Sequence, residues 1–271
     1  IFSGYSTSYS YTYPNKDQQN IGYVTIQATD GIRLLQMKNV DAIAGAVDGQ
    51  DTGTRINTIL DNIQWPNSMR EIDTGGTETI CQADPGTNRT ALDALKMVEY
   101  TEQGAFYCDG EGDAVFKSRA WLMAQSGQNP TYFSNDGTGI TYYSINPALD
   151  DKLIINQANI QIIGGTMQTA SDATSITKYF PHTYTQQNIV AQTDNDALNI
   201  AKNYVATRAQ TAVRIDSMTL DLSTPDYAVG ILAALRGDYF QTFRIKNVGQ
   251  NGTVLNRTLQ VVGIDRKSTR L

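Results

Sequence analysis

The apolar positions of the chain change period along its length, and the changes mark its elements. Residues 1–29 hold two extended runs, one with Phe2, Tyr5, Tyr9, Tyr11 and Tyr13 among serines and threonines, the other with Tyr23, Val24, Ile26 and Ala28. The turn cluster Pro14-Asn15-Lys16-Asp17 between them predicts a hairpin. Asp30-Gly31 ends it, with Asp30 placed to cap a short helix carrying Ile32, Leu34 and Leu35. Residues 39–53 are small and polar, and read as a loop. From Thr54 the spacing turns helical: Ile56, Ile59, Leu60 and Ile63 fall at i, i+3, i+4 and i+7, and Pro66 stops the run. Trp65 is expected to pack beneath the end of that helix rather than to hold a ligand.

A second helix is predicted over 91–102, opened by Thr90 with Asp93 three residues on and closed by Gly104. Ala91, Leu92, Leu95 and Val98 form its stripe. Ala105–Cys108 and Ala114–Lys117 then flank Asp109-Gly110-Glu111-Gly112-Asp113, the pattern of a β-hairpin with a Gly-rich turn. Extended pieces are expected at 131–133 and 140–143, and a long strand at 153–163 ended by Gly164-Gly165. A short helix over 172–179 precedes Pro181. A longer one follows Thr193, which can pair with Asp196 in a capping box, and turns Ala197, Ile200, Ala201, Tyr204 and Val205 inward. Strands at 213–222, 239–245 and 254–264 close the chain, with a turn or two of helix at 227–235. Strands, a helix–helix–hairpin unit, then strands with helices: the fold class is α+β, two β-rich parts around a small mixed insert.

The chain has 271 residues, 40% of them hydrophobic and 18% charged, enough for one large domain or two to three small ones with real cores. A net charge of −6 and a pI near 4.8 exclude a surface built to coat nucleic acid, though not one that DNA merely passes. No apolar run approaches the roughly 18–20 residues of a spanning helix, so this segment is not expected to insert into a membrane. Residues 1–13 lack the basic start and apolar stretch of a secretory signal. They read as a strand already under way, and the chain is expected to be a fragment. The 15 tyrosines, set among Asn, Gln and Thr with few lysines, suit surfaces made for protein contacts.

Little points to catalysis. His182 is the sole histidine, at a loop-to-strand junction between Pro181 and Thr183, with no nucleophile motif to accompany it. G-x-S-x-G, H-E-x-x-H, the phosphate-binding loop and the dinucleotide fingerprint are all missing. Asp109–Asp113 begins like a calcium loop, but Ala114 and Ala120 stand where that loop needs Gly and Glu, so a solvated turn is expected. Cys81 and Cys108 cannot make a zinc site alone. They are either two half-buried thiols in a reducing cytoplasm or a single disulfide. The sequons at Asn88, Asn251 and Asn256 are attributed to the abundance of Asn and Thr. No catalytic, cofactor-binding or metal-ligating residue is assigned.

Four segments carry a resemblance. They are Phe2-Ser3-Gly4 with Val24-Thr25-Ile26, Ala28 to Gly31 and Leu34-Leu35; then Arg55-Ile56 to Leu60, Trp65-Pro66 and Arg70 to Gly75. The third is Ala91 to Leu95 with Glu102, Gly104, Phe106-Tyr107, Asp109-Gly110 and Phe116 to Arg119. The fourth is Ile155-Asn156, Ser175-Ile176, Lys178-Tyr179, Ala197, Ala201 and Gly237-Asp238. In this order the chain resembles minor tail proteins of long-tailed bacteriophages, of the baseplate-hub kind. Phe180 stands where that family usually has Gly, and Lys267 to Leu271 does not continue the preceding strand.

The resemblance implies two tail-tube-like antiparallel β-barrels with a small α/β domain inserted into the first. Residues 1–38 and 120–150 would form barrel one, lacking its opening strands; 39–119 the insert; and 151–271 barrel two with one or two helices. It also implies a homotrimer at the virion's tail tip, assembled in the host bacterial cytoplasm. That trimer would join the tail tube or distal tail protein to tip or fibre proteins, and DNA would pass its channel without specific binding. Two rival readings are a tail-associated cell-wall hydrolase, which needs clustered acids or a nucleophile beside His182, and the hub of a contractile injection system.

Overall fold

The computed structural model describes residues 3–13, 22–75, 79–125, 130–149, 151–221, 230–232, 237 and 239–265. In chain order the elements begin with β1 (Tyr5–Thr12), β2 (Tyr23–Thr29), α1 (Ile32–Met37), β3 (Asn39–Val40), β4 (Gln50–Asp51), α2 (Thr52–Asn62), β5 (Arg70–Ile72), β6 (Ile80–Cys81) and β7 (Arg89–Thr90). Next come α3 (Ala91–Glu102), β8 (Ala105–Cys108), β9 (Ala114–Lys117), α4 (Arg119–Gln125), β10 (Thr131–Ser134), β11 (Ser144–Ala148), β12 (Gln157–Ile162) and β13 (Gln168–Ser171). The last are α5 (Ala173–Tyr179), β14 (Thr183–Ile189), α6 (Asp194–Arg208), β15 (Arg214–Thr219), β16 (Thr242–Val248) and β17 (Val254–Gln260). The expected turn at 14–17, most of the helix at 227–235, Asp238 of the late turn and the 267–271 tail lie outside the described residues. Among the described residues no helix is long and apolar enough to cross a membrane.

The chain divides into two compact units. The first takes Ile1–Ala120, Gln157–Ser171 and Thr183–Asn203. Its core is where the two helical stripes meet: Ile56, Ile59 and Leu60 of α2 and Leu95 and Val98 of α3 are at most 1% exposed, with Leu35, Phe106 and Phe116 packed among them. Each such side chain stabilises the unit by about 1.5–3 kcal/mol through burial. Asp51 caps α2 by accepting the Thr54 amide at 2.8 Å. Thr90 and Asp93 form the full capping box of α3. The left-handed residue ending α3 is Gln103, at φ 56°, not Gly104. Gly104 serves close approach instead, since a Cβ there would stand 2.4 Å from the Lys117 carbonyl oxygen. β9 is central in its sheet, antiparallel to β8 and parallel to β5. β12 is likewise central, antiparallel to β13 and parallel to β14. The capping box of α6 is present, with Thr193 Oγ1 accepting the Asp196 amide at 3.2 Å and Asp196 accepting the Thr193 amide at 3.0 Å.

The second unit takes Trp121–Asn156, Asp172–His182 and Tyr204–Leu271. β16 runs between β10, parallel to it, and β17, antiparallel to it. Phe133, Tyr142 and Ile245 are its buried centre, with Ile145, Ile215, Met218, Phe243 and Leu259 against them. β11 pairs antiparallel with β15 across a bulge at Asn146/Pro147. Pro147 lacks an amide hydrogen, and the bulge accommodates it.

The α+β class agrees with the sequence; the barrels do not. Among the described residues the strands form sheets of two or three, none closed, and three of the pairings are parallel. Closure requires every strand to be paired on both edges. Among the described residues β1 and β2 pair only with each other, and helices interrupt the runs that would have to join them.

Candidate assembly surface

The strands β1 and β2 form a ribbon whose chemistry follows from its register. Thr7 is bulged out of the ladder, so Ser6 faces Ala28 and Ser8 faces Gln27. The bulge shifts the parity of side chains, and two contacts record it: the Tyr9 hydroxyl donates to Ser6 Oγ at 2.9 Å, and Ser8 Oγ donates to Gln27 Oε1 at 2.9 Å. One face therefore carries the opposed pairs Tyr9/Ile26 and Tyr11/Val24, the other Ser8/Gln27, Ser10/Thr25 and Thr12/Tyr23. Among the described residues nothing covers the apolar face. Tyr9 is 54% exposed, Tyr11 60%, Val24 51% and Ile26 59%. A contiguous apolar patch of this kind marks an interaction site, and a two-stranded ribbon alone is at best marginally stable in water. Its anchor is the segment before β1, where the Ser3 amide donates to the Gly110 carbonyl at 3.0 Å.

That contact gives the acidic Asp109–Asp113 turn a structural task. Asp109 Oδ1 accepts the backbone amides of Glu111, Gly112 and Asp113 at 3.0, 2.9 and 2.8 Å, so its oxygen shapes the turn. Gly112, at φ 95°, leaves the space that Ser3 occupies; a Cβ there would lie 3.3 Å from Ser3 Cβ. Among the described residues no group of three His, Cys, Asp or Glu side chains is arranged to hold a metal.

The remaining candidates have structural tasks of their own. His182 Nε2 stands 3.0 Å from the Tyr179 carbonyl oxygen, to which it donates, and 3.7 Å from Asp151 Oδ2. The His182 amide donates to Asn156 Oδ1 at 2.7 Å. The ring and backbone thus pin the loop between α5 and β14. Cys81 and Cys108 are both free and buried. Burial pushes the Cys81 thiol up to about 12 and the Cys108 thiol up to about 11, which keeps them protonated and poor nucleophiles. Trp65 packs as expected: its Nε1 donates to the Met69 carbonyl at 3.0 Å, and a Cβ on Gly31 would come within 2.8 Å of its ring. Sequence reasoning missed the burial of three charged residues, Arg55, Glu102 and Lys117. Arg55 Nη2 donates to the carbonyls of Val47 and Gln82 at 2.7 Å each, tying two loops to α2.

No family model and no curated protein matches the sequence. The fold does have counterparts among solved structures. A tail protein from Neisseria meningitidis MC58 superposes with a TM-score of 0.57 at 11% identity, over 95% of this chain and 72% of that one. The prophage tail protein gp18 from Listeria monocytogenes EGD-e gives 0.53 at 10% identity, over 97% and 72%. The 43 kDa tail protein of prophage MuSo2 from Shewanella oneidensis gives 0.54 at 10%, over 97% and 70%. At these identities the likeness is one of fold.

Proposed function

We propose that the chain is a structural subunit of a bacteriophage tail tip, of the baseplate-hub kind, and not an enzyme. The observation that carries this reading is the fold shared with three tail proteins, two of them from prophages, over 95–97% of the chain. The uncovered aromatic face of the β1–β2 ribbon supports it, because a surface of that kind finds its partner in an assembly. In this reading residues 1–38 with 120–150, and residues 151–271, are the β-rich parts, and 39–119 is the α/β insert. Three copies surround the DNA exit channel and join the tail tube or distal tail protein to tip or fibre proteins. DNA passes without specific binding, and the protein resides in the virion after assembly in the bacterial cytoplasm.

Electron microscopy of tails labelled through this protein tests the reading. Label confined to the tip is expected. Label along the whole tube, or its absence from virions, would sink the assignment. Release of sugars or peptides from cell wall by the purified chain would move it to the hydrolases.

A further inference from the structure

The ribbon has two edges, and among the described residues neither pairs with any strand besides its hairpin partner. Its strands, YSTSYSYT and YVTIQAT, contain no Asp, Glu, Lys, Arg or Pro. Those are the residues with which natural proteins guard exposed edges against pairing. An edge guarded only by the bulge at Thr7 fits a protein for which pairing between copies is the working state.

The second unit offers a matching acceptor. β17 pairs with β16 along one edge and, among the described residues, with no strand along the other. It has 7 residues, against 8 in β1 and 7 in β2. The faces match too. Phe243, Ile245 and Leu259 lie on the side of the β10–β16–β17 sheet that enters the core with Phe133. Tyr132, Arg244, Lys246, Asn256 and Thr258 lie on the other side, where Arg244 Nε donates to Asn256 Oδ1 at 3.1 Å. A strand added to this sheet must carry its apolar side chains on the core side and its polar ones opposite. The ribbon is divided in that way along its middle, Ser8 to Tyr11 against Val24 to Gln27, with Tyr5 and Tyr23 at its two ends on the polar side.

We infer that the ribbon of one copy adds to the free edge of β17 in the next copy, extending a three-stranded sheet to five strands. Tyr9, Tyr11, Val24 and Ile26 continue the core face, and Ser8, Ser10, Thr12 and Thr25 continue the polar face. Arg257, the charged residue on the core side of β17, then meets a tyrosine ring, a cation–π pair. The apolar face supplies on the order of 500 Å², over half of the roughly 800 Å² per partner in a standard interface; the paired edge supplies the rest. Donor and acceptor are different surfaces, so the contact is head-to-tail and can close a ring. The inference rests on the trimer reading and names the contact that makes the trimer.

Co-expression of two variants of the full chain, each with one exposed cysteine added beside the buried Cys81 and Cys108, tests it. Copies with Thr25→Cys or Ser10→Cys are paired with copies carrying Thr258→Cys, and a short bis-maleimide is added. Cross-linked pairs are expected from the mixtures and not from any variant alone. A second variant, Ser10→Lys with Thr25→Lys at two exposed positions, is expected to keep its circular dichroism and to drop in sedimentation from trimer to monomer. Trimers that survive the lysines, or cross-links only between like copies, would overturn the inference and leave the trimer standing. A wild-type chain that sediments as a monomer at every concentration would overturn both.

Discussion

Phe180 holds φ 64° and ψ 170° directly after α5, a region that glycine alone enters freely. Its amide donates to the Ile176 carbonyl at 2.9 Å, and its own carbonyl accepts from Asn156 Nδ2 at 2.8 Å. Asn156 is fully buried, so this backbone has little room to relax. The ring gains little in exchange, being 78% exposed. Glycine, the residue usual here in the family the sequence resembles, suits the position better. Phe180→Gly is therefore expected to stabilise the protein by about 1–2 kcal/mol, the released strain less glycine's extra chain entropy. A urea titration reads it, and a lowered midpoint would refute the strain argument. Glu102 is the other residue with a legible cost. It has no exposed area, and it accepts the Thr52 hydroxyl at 3.0 Å and the Arg119 amide at 3.3 Å. Burial pushes its carboxyl above the usual range; hydrogen bonds from Thr52 and Thr79 and the charge of Arg119 pull the other way and are outweighed. With the folded value above the unfolded one, its contribution is fully present below about pH 4.5 and is lost as pH rises through the folded value. The stability of Glu102→Gln relative to wild type should therefore climb as pH rises above the ordinary carboxylate range. Denaturant titrations from that range upward check it, and a flat difference would contradict the burial argument.

Among the elements, α3 makes the sharpest test because its stripe and its end have separate causes. Leu95→Ala should cost about 2–5 kcal/mol, the loss for a buried leucine that leaves a cavity. A loss under about 0.5 kcal/mol in denaturant would mean that the stripe is not the core. Gly104→Ala should cost about 1–3 kcal/mol for a different reason, because the added carbon meets the Lys117 carbonyl and β8 must move from β9. The contrast shows what sequence can carry. Stripes and capping boxes are local, so α2, α3, α5, α6 and the two hairpins were legible from spacing. The role of Gly104 was not, because its reason lies on a strand thirteen residues away. α4 escaped for want of a stripe: none of its described residues is buried. The strand expected at 140–143 stands at 144–148, held by the partner β15, with its proline taken up by the bulge at Asn146/Pro147. The strand expected from residue 153 begins only at Gln157, since Ile154 to Asn156 are buried in a turn and bonded to Asp151, Arg208 and His182. The ribbon's strands were readable and its exposure was not, because alternating Tyr and Ser looks the same whether a face is covered by its own chain or by another.

At the scale of the whole molecule, charge separates a channel wall from a nucleic-acid binder. The chain is acidic, with 27 carboxylates against 21 lysines and arginines. In the proposed trimer, three copies would put three times the net charge of −6 into one ring. Affinity for duplex DNA comes chiefly from cations that release phosphate counterions, and it falls steeply with salt. An acidic wall reverses the sign: it repels the phosphates, and a passing duplex finds no place to stick. Several of the described cationic side chains are also held in ion pairs. Lys246 pairs with Asp136 at 2.6 Å, Arg89 with Asp84 at 2.5 Å, and Arg70 with Asp61 at 2.6 Å. The assembled protein is therefore expected to show no binding to duplex DNA tighter than about 10⁻⁴ M near 0.1 M salt, the weak end of non-specific association. Fluorescence anisotropy of a labelled duplex, titrated with the purified oligomer at several salt concentrations, measures it. Micromolar binding that weakens steeply as salt rises would mean that cations line the path, and the picture of a repelling channel would have to be given up.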